Sequence, residues 1–192
     1  MIMYDLPPAP RIECVGCTPA EVRVTDFLQE RGIHDKNAIA TVLGNIKQES
    51  NFQHQICEGG AIVPYDACLR GGYGLIQWTS QNRYDGLAQF ARAYGGSPSD
   101  FDTQLRYMVN ENQWQEFQLV LKGRGQTVQH YMHHAWYWLG WGIHGNRTTY
   151  AYDYTKKLIL VVPDDPNTVS DKVPPSTHSQ TQGDLRIPFG VC

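Results

Sequence analysis

The stretch Asp35-Lys36-Asn37-Ala38-Ile39-Ala40-Thr41-Val42-Leu43-Gly44-Asn45-Ile46-Lys47-Gln48-Glu49-Ser50-Asn51-Phe52 decides how the rest of this chain is read. Ile39, Val42, Leu43 and Ile46 recur at helical spacing and define one apolar face. Glu49 lies three residues beyond Ile46 and seven beyond Val42, so it falls on that same face. A carboxylate placed there is either paired or functional. Lys47 precedes it by two positions and points elsewhere, and no Lys or Arg follows three or four positions later. Apolar surroundings hold a carboxyl in its neutral form, the state a general acid needs. The plain alternative is a buried glutamate satisfied by backbone or arginine partners.

Working outward, Thr18-Pro19-Ala20-Glu21 offers an N-cap hydroxyl, proline at the first helical position and glutamate at the capping-box position. That helix should run to Glu30, with Gly32 as terminator. Tyr84, Leu87, Ala91 and Tyr94 suggest a third helix ended by Gly95-Gly96, and Ser99 caps a fourth through Leu105, Met108 and Val109. Trp114, Phe117 and Leu121 mark a fifth, and Val128, Tyr131, Met132, Ala135 and Trp136 a sixth. A seventh is expected from Arg147 to about Leu160. Between them, residues 53–79 hold Gly59, Gly60, Pro64, Gly71, Gly72 and Gly74, which break the period and suit a loop or short hairpin. The fold class is mainly α (α+β), with one helical lobe and one small irregular lobe.

The chain has 192 residues, 41% hydrophobic and 18% charged, which suits one domain with appendages. Residues 1–18 read as an extended N-terminal arm, 19–162 as the folded domain, and 163–192 as a Pro-rich tail ending in Leu185-Arg186-Ile187-Pro188-Phe189-Gly190-Val191-Cys192. Both arms are expected to dock on a partner or on the domain itself. A net charge of -3 without any basic cluster argues against nucleic acid. No apolar run is long enough to span a membrane, and the first residues lack the charged and apolar regions of a secretory signal.

Cys14 and Cys17, Cys57 and Cys68, and Cys192 form two pairs and a remainder. Reduced cysteines are the default expectation. A Cys57–Cys68 disulfide bracing the loop is one alternative, and a structural zinc on Cys14, Cys17, Cys57 and Cys68 is another. No cofactor is otherwise implied. His130 and His134 stand one helical turn apart, but Tyr131 occupies the position where a metalloprotease helix needs glutamate.

Two segments together carry a resemblance. Gly44-Asn45-Ile46-Lys47-Gln48-Glu49-Ser50-Asn51-Phe52 and Gly72-Tyr73-Gly74-Leu75-Ile76-Gln77-Trp78-Thr79 resemble the signature segments of the lysozyme and lytic transglycosylase superfamily. With the ending Arg147-Thr148-Thr149-Tyr150-Ala151-Tyr152-Asp153-Tyr154, the pattern is most similar to the phage tail lysozyme domain family, over about residues 20–160. Gly140-Trp141-Gly142-Ile143-His144-Gly145 departs from the family's proline-bearing segment, so no site residue is carried over there.

The resemblance implies a two-lobe lysozyme-like fold and cleavage of the β-1,4 bond between N-acetylmuramic acid and N-acetylglucosamine. Glu49 would protonate the glycosidic oxygen. Ser50 would orient it or contact sugar, and Tyr73, Gln77 and Trp78 would line the cleft. A second carboxylate decides between routes: an inverting hydrolase needs a base about 6.5–9.5 Å from the acid, a retaining one a nucleophile at about 5–5.5 Å. A transglycosylase needs neither. Glu58 is the first candidate, then Asp66, with Asp85 a distant third. The expected setting is a virion tail or baseplate component opening the host wall, its arms docked on other tail proteins. A free endolysin and a catalytically inactive structural subunit are the rival readings, and a guanidinium locked onto Glu49 would count against the hydrolase and leave only the structural subunit.

Overall fold

The computed structural model describes residues 9–163. The elements run β1 (Arg11–Cys14), α1 (Pro19–Glu30), α2 (Lys36–Ser50), a 3-10 turn (Tyr65–Ala67), α3 (Gln81–Tyr94), α4 (Phe101–Asn110), α5 (Asn112–Lys122), α6 (Val128–Leu139), α7 (Arg147–Lys157) and β2 (Leu158–Val161). Helix therefore dominates, and the fold is of the mainly-α, lysozyme-like kind. No helix among the described residues is long and apolar enough to cross a membrane. Thr18 caps α1 by accepting from the Glu21 N–H at 3.3 Å, and Asp35 caps α2 through the Ala38 N–H at 3.1 Å.

α2 is the centre of the helical lobe. The sequence pattern shows one apolar face, yet every residue from Ala38 to Ile46 is buried, because helices pack around it on several sides. Gly44 permits the closest of these contacts. A Cβ there would lie 2.7 Å from both the Ala151 N and the Arg147 O, so α7 rests directly on the α2 backbone. Trp114, Phe117 and Trp138 fill the core between α5 and α6, with the Phe117 and Trp138 rings stacked at 5.3 Å. Trp136, expected on that inner face, is instead 47% exposed, and Trp138 takes the buried place.

Two other expectations change. The seventh helix ends at Lys157 rather than Leu160, because the aliphatic run Leu158–Val161 pairs antiparallel with β1, Cys14 facing Leu158. Residues 11–14 are extended, and the Gln29 side chain clamps the chain there, accepting from the Ile12 N–H at 2.7 Å and donating to the Ile12 O at 2.8 Å. Asp100, not Ser99, immediately precedes α4; the Ser99 hydroxyl instead accepts the Tyr65 N–H at 2.8 Å. Residues 1–8 and 164–192, with the docking tail and Cys192, lie outside the described residues.

The small lobe, from Asn51 to Ser80, has isolated bridges such as Ile56–Ile62 and Cys57–Tyr73 in place of a regular hairpin. Its rigidity comes from side chains. Gln104 on α4 accepts the Leu75 N–H at 2.9 Å and donates to the His54 and Pro98 carbonyls. Tyr65 and Tyr84 stack at 4.3 Å and exchange hydrogen bonds, each hydroxyl donating to the other's backbone carbonyl. The cysteines correct both the reduced default and the four-cysteine zinc alternative. They are joined as disulfides Cys14–Cys17 and Cys57–Cys68, with Cα separations of 5.6 and 5.5 Å, which leaves no thiolate among these four to hold a metal.

Candidate active site

Glu49 occupies the last turn of α2, where the chain reverses through Asn51 in a left-handed conformation at φ 49°. It faces a cleft of about 780 Å³. One wall is the end of α2 with Gln48 and Glu49; the second is Ile76, Gln77, Thr79 and Ser80 with Arg83; the third is the turn Leu139–Ile143 between α6 and α7. Among the described residues lining the cleft, Glu49 is the only carboxylate.

The surroundings of Glu49 differ from the apolar pocket expected. The Arg147 Nη2 stands 2.9 Å from its Oε1, and the two side chains are 3% and 18% exposed, respectively. The pairing follows from the fold. Gly44 lets α7 sit on α2, and Asn45 and Glu49, one helical turn apart, both point toward Arg147. Arg147 Nη1 donates to the Asn45 Oδ1 at 2.8 Å, Nε donates to the His144 O at 2.7 Å, and the guanidinium lies 4.1 Å over the Trp141 ring. Burial pulls the Arg147 pKa down, while the Glu49 carboxylate opposes that shift. A cation held by so many partners is a fixed charge.

The other anticipated residues separate. Gln77 lines the cleft at φ 53°, a left-handed conformation unusual outside glycine, and its Nε2 donates to the Ile56 and Gly74 carbonyls at 3.1 and 3.0 Å. Three assignments are corrected by burial. Tyr73 is fully enclosed, its hydroxyl donating to the Val63 O at 3.0 Å. Trp78 is likewise enclosed, its Nε1–H donating to the Glu111 Oε1 at 2.8 Å. Ser50 is 4% exposed and donates to the Leu75 O at 2.8 Å, tying α2 to the small lobe. All three build the wall from behind.

Glu58 is exposed in the small lobe, and its Oε2 accepts the Gly72 N–H at 2.8 Å. Gly72 backs onto the cleft: a Cβ on it would stand 2.9 Å from the Thr79 Oγ1 and 3.0 Å from the Gln77 Oε1. Asp66 and Asp85 line a different cleft, of about 630 Å³, bounded by the Tyr65–Gly71 segment and α3. The structure thus brings together Glu49 and Gln77, sets Glu58 one backbone layer behind Thr79, and puts Asp66 elsewhere. Sequence reasoning missed Arg147 and Arg83 as cleft residues. Arg83 is clamped by Glu111, with contacts of 2.7 and 2.8 Å, which also fixes Trp78 behind Gln77. None of these partners is near Glu49 in sequence.

A family model described as phage tail lysozyme matches residues 20–158, from the second residue of α1 through α7, with every cleft residue named above. No curated protein and no solved structure matches the chain.

Proposed function

We propose, for a chain that belongs to the phage tail lysozyme family, that it cuts the glycan strand of peptidoglycan at the β-1,4 bond between N-acetylmuramic acid and N-acetylglucosamine. The observation that carries this reading is Glu49 as the one carboxylate on a cleft of glycan-binding size. Glu49 donates its proton to the leaving oxygen, while Arg147, 2.9 Å from its Oε1, holds the carboxyl in position. The Gln77 Oε1, which has no donor among the described residues, is suited to accept an N–H from an acetamido group.

Neither Glu58 nor Asp66 lines the Glu49 cleft, and we keep Glu58 first as the second carboxylate because it accepts the N–H of Gly72, which packs against Gln77 and Thr79 of that cleft, while Asp66 lines the other. If Glu58 serves as base, water attacks and the product carries a reducing end. If Glu49 acts alone, the substrate's own hydroxyl attacks and a 1,6-anhydro end forms. The setting we propose is the phage tail or baseplate acting on the host wall, with the terminal segments as attachment to neighbouring tail proteins.

One observation favours a second reading. The guanidinium found on Glu49 is also what a structural subunit without activity would show. Digestion of purified peptidoglycan, followed by mass spectrometry of the released muropeptides, separates all of these. Glu49→Gln should abolish release while circular dichroism still reports native helix, the melting temperature falling by no more than the loss of the Arg147 pair accounts for. Glu58→Gln should reduce release far more than Asp66→Asn. Anhydro ends with both loop variants fully active would establish the single-acid route, and no muropeptides from the unaltered chain between about pH 4 and 8 would leave the structural reading.

A further inference from the structure

The cleft of about 630 Å³ that holds Asp66 and Asp85 is separate from the Glu49 cleft, yet Thr79 lines both. Its lining carries charges of both signs: Asp66 and Asp85 against Arg70 and Arg92. Among the described residues none of the four makes an ion pair, although they share one cavity. Asp66, Arg70 and Arg92 are exposed and Asp85 is half-buried, its Oδ2 accepting from the Gln81 Nε2 at 2.8 Å, so charges of both signs stand open to a ligand of matching pattern around one concave surface. A simple anion would call for cations alone. A neutral sugar would call for open aromatic faces, and here Tyr65 is 7% exposed with its ring stacked on Tyr84.

The cavity is also built to keep its shape. Tyr84 donates to both the Tyr65 O and the Cys68 O at 2.8 and 2.9 Å, which ties α3 to the loop. The Cys57–Cys68 disulfide anchors that loop immediately before Arg70. Rigid positions reduce the entropy lost on binding a flexible ligand.

Resting on the glycan-cutting reading above, we propose that this second cleft binds the stem peptide carried by the same peptidoglycan strand. Arg70 and Arg92 take its carboxylates and Asp66 and Asp85 its free amino group. Peptide stems branch from the glycan and combine acidic groups with the amine of a diamino acid, the charge pattern of the cavity. The shared Thr79 wall lets one strand occupy both clefts, sugars against Glu49 and peptide against α3. Guanidinium groups suit carboxylates through paired donors.

A binding titration tests this without cleavage. The full chain, isotope-labelled, is titrated with a soluble sugar-free stem peptide containing a diamino acid and followed by amide chemical shifts. Saturable shifts should cluster at residues 65–71 and 81–92. Arg70→Ala combined with Arg92→Ala should weaken binding at least about tenfold. Asp85→Asn should weaken the free amine peptide but not its N-acetylated form, a contrast that mere structural damage would not produce. Shifts centred elsewhere, no saturable binding, or dissociation constants unmoved in the variants would overturn the inference. Such a failure leaves glycan cleavage untouched, and loss of cleavage with peptide binding intact would sink only the earlier reading.

Discussion

At the scale of single residues, Arg147 decides more than its place in the sequence suggests. It satisfies Asn45, caps the His144 carbonyl, lies over Trp141 and pairs with Glu49, all from one side chain that is 3% exposed. Removing one partner of a buried ion pair costs about 3–5 kcal/mol, and because Glu49 keeps 18% exposure the lower end applies. Arg147→Met should therefore lower stability by about 2–4 kcal/mol by urea denaturation, and Glu49→Gln in the same background should recover part of the loss. A cost below about 0.5 kcal/mol would mean that the pair contributes nothing to the fold. Glu49 itself was legible in the sequence from its position on an apolar stripe. Its partner was not, because Arg147 is 98 positions away and a search for charges one turn up or down the helix cannot reach it. Tyr73 and Trp78 misled for a related reason. An aromatic residue beside a catalytic motif reads the same whether its ring faces the groove or braces it, and only the hydrogen bonds to Val63 and Glu111 tell them apart.

Among the elements, the α2–α7 contact is the joint on which the site depends. Gly44→Ala would drive a methyl group into the Arg147 carbonyl and the Ala151 amide. Neither is a flexible side chain, so α7 must move, at a cost of about 1–3 kcal/mol. The shift would carry Arg147 away from Glu49, and activity on peptidoglycan should fall more than the stability loss explains. Unchanged activity with a lowered melting temperature would show that the registry of α7 is irrelevant to the cleft. The small lobe offers a test by pH. Burial lowers the His54 pKa below its usual 6.5, an effect that Asp100 partly opposes, and the ring packs edge-on against Phe101 at 5.6 Å. The unfolded chain therefore binds the proton more readily than the folded one. Stability should drop as pH falls below about 6.5, and His54→Gln should flatten that part of the profile; an identical profile would place the titration elsewhere. The caps and glycine stops made most helices readable, with boundaries at Thr18, Asp35 and Gly95 where the side-chain chemistry is local. The end of α7 was not readable, since β2 exists only because β1, from the far end of the domain, pairs with it.

For the molecule as a whole, the site depends on two lobes that are built differently. The apolar core around α2 continues into the small lobe through Tyr65, Tyr73, Leu75, Ile76 and Trp78, but that lobe has few regular backbone pairs and is braced by Gln104, the Tyr65–Tyr84 stack and one disulfide. Segments with few cooperative contacts open first. The Cys57–Cys68 bridge closes a separation of 11 residues and on the chain-entropy model contributes about 3 kcal/mol, against about 1.5 kcal/mol for the Cys14–Cys17 separation of 3. Gln77 and Thr79, which face Glu49, belong to the lobe that the longer bridge braces. Replacing Cys57 and Cys68 by serine should thus abolish peptidoglycan cleavage at a urea concentration where circular dichroism still reports native helix. The Cys14→Ser, Cys17→Ser protein should lose activity and helix together. If both variants showed a single coincident transition, the lobes would be one cooperative unit, and the cleft would owe its shape to the helical core alone.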